Sequence, residues 1–134
     1  MMNILVIDAQ GGGIGKNLVS AIKDNLPDTT ITAVGTNAVA TSAMLKAGAD
    51  WAATGENAVI VNSRKADVIV GPIGIVIADA LFGEITPLMA KAVAQSDAKR
   101  ILIPINHCDN IVVGVSDLNI NKLIGDVICE LRKA

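Results

Sequence analysis

Three apolar runs constrain this chain most: Ile4-Leu5-Val6-Ile7, Val68-Ile69-Val70 and Ile101-Leu102-Ile103. Each is short, rich in β-branched residues and unbroken by a polar residue. A strand with one wet face alternates, whereas an unbroken run needs cover on both faces. That requirement points to a parallel sheet with helices on either side. The longest apolar stretch, Val68 to Ala78, is bounded by Asp67 and Asp79 and interrupted by Gly71-Pro72. It is too short and too broken for a membrane span, which takes about 20 residues.

The connections fit the same scheme. Strands are expected near Asn3–Ile7, Thr30–Val34, Asp50–Ala53, Asp67–Val70 and Arg100–Ile105. Helices are expected at about Gly15–Asn25, Ala38–Lys46, Thr86–Gln95 and Asn119–Arg132. Thr86 reads as a cap and Pro87 as the first helical residue. In the last helix Ile120, Leu123, Ile124, Val127, Ile128 and Leu131 form one stripe. Ala58–Ser63 fits helix or strand, and chain order favours helix. Ile75–Phe82 is apolar almost all round apart from Asp79, which reads as a helix covered on several sides. Ile111-Val112-Val113, after the turn His107-Cys108-Asp109-Asn110, reads as an antiparallel hairpin strand. Pro104 places the preceding strand at an edge or bulge. The expected fold is one Rossmann-like, three-layer α/β domain over residues 1–134, with about five strands, mostly parallel, plus that C-terminal hairpin strand.

Composition removes several function classes. The chain has 134 residues, a net charge of −2 and two aromatic residues, Trp51 and Phe82. Nucleic-acid binding draws on a positive patch and stacking rings, and neither is present. Cys108 and Cys129 have no metal-ligand spacing and form no disulfide framework. No metal site is expected. The N-terminus lacks a cationic start and meets Asp8 too early for a signal peptide, so a cytoplasmic location is expected.

The stretch from Asp8 to Lys16 carries the functional signal. A strand leads into Gly11-Gly12-Gly13-Ile14-Gly15-Lys16 and a helix leads out. This arrangement collects free backbone N–H groups and the positive end of a helix dipole at one point, suited to a phosphate or carboxylate. Three known patterns nearly match. The dinucleotide pattern fits Gly11 and Gly13 but meets Lys16 in place of its third glycine. No acidic residue follows some 20 positions on, where a ribose would be held. The short-chain dehydrogenase variant has Ala9 for its first glycine, and the chain contains no Tyr. The Walker-type ending has Asn17 where a hydroxyl should bind magnesium, and Val70 and Ile105 end strands without a Walker-B aspartate. What the patterns share is glycine permissiveness and a nearby cation; a tight packing turn is the competing explanation.

Other polar groups sit near the expected crevice at the C-terminal strand ends. Asp8 is suited to a metal or ligand hydroxyl, or to bonding glycine amides. Thr36 and Asn37 suit sugar hydroxyls, or a helix cap. Glu56 is a candidate general base, or a first-turn acid responding to the helix dipole. Gly71-Pro72-Ile73-Gly74 reads as a second anion turn or a plain corner. Asn106 and His107 lie at a strand end, and Asp79 needs a partner if buried. His107-Cys108-Asp109 is explained by a turn rather than by catalysis.

Taken together, Asn3-Ile-Leu-Val-Ile-Asp8, Gln10-Gly-Gly-Gly-Ile-Gly-Lys16, Gly35-Thr-Asn37, Ala43-Met-Leu-Lys-Ala-Gly-Ala-Asp50, Thr54-Gly-Glu-Asn57, Gly71-Pro-Ile-Gly74, Gly83-Glu-Ile-Thr-Pro87 and Ile103-Pro104 resemble a family of small bacterial proteins. It is the domain of unknown function family 3842. The resemblance spans nearly the whole chain. It implies a stand-alone bacterial cytoplasmic protein and no particular activity, cofactor or catalytic residue.

The leading expectation is binding of a phosphate-bearing small molecule, with a nucleotide as the specific case. The glycine turn (Gly11, Gly12, Gly13, Gly15) and Lys16 would hold the phosphate. Thr36, Asn37, Glu56, Gly71, Gly74 and Asn106 would line the remainder, and Glu56 or Asp8 would take a proton if any reaction followed. The rival is a non-catalytic, homo-oligomeric assembly or regulatory protein associating through the Ile75–Phe82 helix. A reductase or NTPase-like enzyme is the third reading.

Overall fold

The structure, a computed structural model, describes residues 2–105, 110–115 and 119–134. Five strands form one sheet: β1 (Asn3–Asp8), β2 (Thr30–Gly35), β3 (Trp51–Thr54), β4 (Val68–Pro72) and β5 (Lys99–Ile103). Five α-helices accompany them: α1 (Gly13–Asn25), α2 (Ala38–Lys46), α3 (Glu56–Lys65), α4 (Pro87–Gln95) and α5 (Ile120–Lys133). Strand order is β3-β2-β1-β4-β5, and every pairing is parallel. The topology reverses between β1 and β4, and a crevice opens at such a point.

The apolar runs are buried on both sides. Along β1, Ile4 and Val6 face one core and Leu5 and Ile7 the other, as a period of two dictates. The first core adds Ile31, Ala33, Val68 and Val70 of the sheet to Leu18, Val19 and Ile22 of α1, Met44 of α2, and Ile124, Val127, Ile128 and Leu131 of α5. The second joins Val34 and Ile69 to Val59 of α3 and Met89, Ala90 and Val93 of α4. Each of the larger aliphatic side chains, fully buried, contributes about 1.5–3 kcal/mol. The α/β three-layer expectation therefore holds.

Local signals explain most element ends. Thr86 accepts a hydrogen bond from the Met89 amide at 3.1 Å and Pro87 opens α4. Asn37 caps α2 through the Ala40 amide at 2.9 Å. Asn119 caps α5 through the Lys122 amide. The ambiguous stretch around Ala58–Ser63 lies in α3, which begins at Glu56 rather than after it.

Two expectations need correction. Ile75–Phe82 is not a helix. Ile73–Val76 forms a single 3-10 turn, and residues 77–85 then fold as a loop. Asp79, Leu81 and Phe82 have φ of 66°, 57° and 57°, which no right-handed helix accommodates. The stretch is apolar because Ile75, Ala80 and Leu81 pack as loop residues into the second core. Asp79 is exposed, so it carries no buried charge. The association surface expected on that helix is absent as a helix.

The C-terminal hairpin strand is the second correction. No strand forms at Ile111–Val113. Val115 N–H turns back onto the Val112 carbonyl at 3.4 Å, and Ile111 and Val113 are exposed. Without a face on the sheet these side chains gain nothing from pairing there. β5 is the edge strand and ends at Ile103, just before Pro104, which has no amide to donate. His107, Cys108 and Asp109 lie outside the described residues.

Candidate functional site

The glycine turn divides into packed and open positions. Gly12 has φ +75°, and a Cβ there would stand 2.8 Å from the Ala40 backbone. A Cβ on Gly15 would stand 2.5 Å from Met44 Sδ and 2.8 Å from Asp8 Cβ. These two glycines let the turn and α1 close on α2 and β1. At Gly11 and Gly13 a Cβ would meet nothing within 4 Å. Both residues are exposed, and their amides donate to no acceptor among the described residues. The Gly12 amide returns to the Ala9 carbonyl at 3.0 Å, and Lys16 N–H opens the helical ladder on the Gly12 carbonyl at 2.8 Å.

Asp8 ends β1 beneath this turn and is 4% exposed. Its Oδ1 accepts from the Ala9 amide at 2.8 Å and its Oδ2 from the Gly15 amide at 2.6 Å. Burial pushes its carboxyl up; the Gly15 and Ala9 hydrogen bonds work against that, and the nearby charge of Glu84 works with it. Asp8 thus bonds glycine-turn amides from the inside, the second of the two roles its position allowed.

Directly beside the turn, at the C-terminal ends of β1 and β2, stands a residue to which the sequence assigned no role. Glu84, at the end of the 77–85 loop, presents one oxygen to three donors. Its Oε1 accepts from the Gln10 amide at 2.9 Å, Thr36 Oγ1 at 2.6 Å and Asn37 Nδ2 at 2.8 Å. Partial burial works to raise the Glu84 carboxyl, but the hydrogen bonds from Thr36, Gln10 and Asn37 outweigh it and hold it below the usual glutamate range. The signal was in Gly83-Glu84, a charged residue directly after an apolar run. Its partners lie 47, 48 and 74 positions away, which no local pattern records.

The remaining expected site residues fall into three groups. Thr36 and Asn37 reach the crevice but are engaged: Asn37 caps α2 and spends Nδ2 on Glu84 and on the Gln10 carbonyl at 2.9 Å. Lys16 is exposed, makes no ion pair among the described residues, and lines a groove of about 550 Å³ with Val39, Ser42 and Lys46 of α2. Gly71 and Gly74 are packing positions. A Cβ on Gly71 would lie 2.5 Å from the Ile7 carbonyl oxygen, and one on Gly74 3.1 Å from Leu81. The plain-corner alternative fits them, and Leu81 fills space beside that corner. Glu56 opens α3 beyond β3 and makes no hydrogen bond to the Glu84 group. Asn106 lies outside the described residues. No group of three or more His, Cys, Asp or Glu among the described residues is arranged to hold a metal. No helix among them is long and apolar enough to cross a membrane.

Residues 3–134 match the model of the family described as a domain of unknown function, DUF3842. The chain belongs to that family. No curated protein matches it. Among solved structures it is similar to the crystal structure of a dodecameric FMN-dependent UbiX-like decarboxylase from Escherichia coli O157:H7. The identity is 19% and the TM-score 0.46, over 96% of this chain and 76% of that one.

Proposed function

We propose that this chain binds a phosphate-bearing small molecule where β1 passes into α1. The observation that carries the reading is the pair Gly11 and Gly13: open positions with unused amides at the positive end of a 13-residue helix. Gly12 and Gly15, locked by packing, hold those amides in place before any ligand arrives. Such preorganisation lowers the ordering cost of binding. The Lys16 ammonium adds a mobile positive charge one turn along.

The test is thermal unfolding with inorganic phosphate, pyrophosphate and mononucleotides. A ligand at 100 times its dissociation constant stabilises by about 2.7 kcal/mol, which raises Tm by roughly 3–6 °C for a domain of this size. At Gly13 a Cβ meets nothing within 4 Å, so Gly13→Val should fold but lose the shift. No shift in the parent protein with any of these ligands overturns the reading.

One observation favours self-association as a second reading. Phe82 is 97% exposed at the tip of the 77–85 loop. Sedimentation of the parent and of Phe82→Ser over a range of concentrations decides it: a concentration-independent monomer in the parent removes it.

A further inference from the structure

We propose that the groove between α3 and α4 binds a small organic anion, a carboxylate on a short aliphatic chain. The groove shares no residue with the glycine turn, and binding there does not depend on the phosphate reading.

The Ser63 hydroxyl is what points to a ligand. Ser63 is 2% exposed and lines a groove of about 450 Å³. Its carbonyl accepts from Ser96 Oγ at 2.6 Å, but its own Oγ is buried without a hydrogen-bond partner among the described residues. No other buried side-chain nitrogen or oxygen among them is left so. Ser96 lines the same groove, yet its hydroxyl is engaged: it donates to the Ser63 carbonyl and accepts from the Ala98 amide at 3.0 Å. A buried hydroxyl left unpaired costs free energy, and a ligand acceptor recovers that cost on binding.

The two helices supply charge to the same place. Arg64 of α3 and Lys91 of α4 both line the groove and are exposed. Neither side chain makes an ion pair or hydrogen bond among the described residues. Lys91 is the middle residue of α4, so no helix end takes up its charge. Asp97 is the one carboxylate of the lining. Two cations against one anion suit a singly charged ligand better than a doubly charged phosphate. An ionised carboxylate only accepts, which matches a donor hydroxyl and two cations together.

The rest of the lining is apolar. Ile60 of α3 and Leu88 and Ala92 of α4 complete the groove, and Leu88 is 54% exposed. Covering such surface is favourable. An ion with no apolar body leaves it wet, whereas a charged head on a short aliphatic chain uses both halves of the groove.

The test is amide chemical-shift titration at pH 7 with sodium hexanoate, compared with hexanol, inorganic phosphate and sodium chloride at matched ionic strength. Hexanoate should give saturable shifts in α3 and α4 around Ser63 and Lys91. It should bind there at least about tenfold more tightly than hexanol or phosphate, as a hydrogen bond to a charged group allows. Phosphate shifts at the glycine turn belong to the other site. Ser63→Ala should weaken hexanoate binding about tenfold yet melt no lower than the parent, because the hydroxyl removed has no partner to lose. Lys91→Gln, at an exposed position, should weaken it about threefold. The proposal is overturned by no saturable hexanoate shift, by shifts confined to other elements, or by hexanol or phosphate binding this groove as tightly. Unchanged hexanoate affinity in Ser63→Ala also overturns it. Should that variant fail to fold, unchanged affinity in Lys91→Gln does the same.

Discussion

Thr36 Oγ1 lies 2.6 Å from Glu84 Oε1, joining the end of β2 to a loop that leaves the sheet after β4, 48 positions away in the chain. That bond is short because its acceptor is ionised. It also makes the stability of the crevice depend on pH. Glu84 is held below its ordinary value, so its stabilising contribution is present above the unfolded-state pKa. The contribution is lost as pH falls through the folded-state value. Thr36→Val keeps the shape and removes the donor. Denaturant unfolding at pH 7 should show a loss of about 1–2 kcal/mol, discounted from the range for bonds to charged groups because Glu84 is only partly buried. At pH 3 the difference from the parent should shrink.

Asp8 has the opposite sign. Its folded-state pKa is raised, so its contribution is fully present below the unfolded-state value and is lost as pH rises through the folded one. Asp8→Asn sets an amide N–H2 against one of two backbone donors, Ala9 or Gly15. A buried mismatch of that kind costs about 1–3 kcal/mol. Urea titrations between pH 3 and pH 7 should show the gap between parent and variant narrowing as pH rises. A gap that widens would show that the Gly15 and Ala9 bonds outweigh burial and hold the Asp8 carboxyl below its ordinary value.

The four glycines of the turn should separate into two classes on substitution by alanine. Gly12→Ala combines a strained φ with backbone contact at 2.8 Å, and Gly15→Ala forces Met44 and Asp8 aside. Each should lose about 1–3 kcal/mol. Gly11→Ala and Gly13→Ala meet open space, and Gly13→Ala at the first helical position should be neutral or stabilising by up to about 1 kcal/mol. Tm values of the four variants provide the check.

Phe82→Ser should leave monomer stability within about 0.5 kcal/mol, because the ring is almost wholly in water and the site is a surface position. A larger loss, measured at a protein concentration where the parent is monomeric, would mean that the ring packs in solution.

How far the sequence could be read follows from the range of each interaction. The bounds of α2 and α4 were legible because Asn37, Thr86 and Pro87 act within a few residues of themselves. The parallel sheet was legible because Ile4–Ile7 and Val68–Val70 need cover on both faces. The 77–85 loop was not. Its apolar residues obey burial but not periodicity, and the left-handed φ of Leu81 and Phe82 leaves no mark in residue type. Glu84 escaped for a related reason. A search some 20 positions beyond the glycine turn looks along the chain, whereas this carboxylate arrives through space. Asn37 was read as a helix cap or a contact for sugar hydroxyls; the structure gives its oxygen to the cap and its nitrogen to Glu84 and the Gln10 carbonyl, the latter pairings being ones that no local pattern records.

Ala40 receives the Asn37 cap on its amide, and its backbone is also the surface against which Gly12 closes. The glycine turn and the first turn of α2 are therefore packed directly against each other, backbone to backbone. Any side chain at position 12 would press on the start of α2, the helix that carries exposed Val39 and Lys46 on its outer surface.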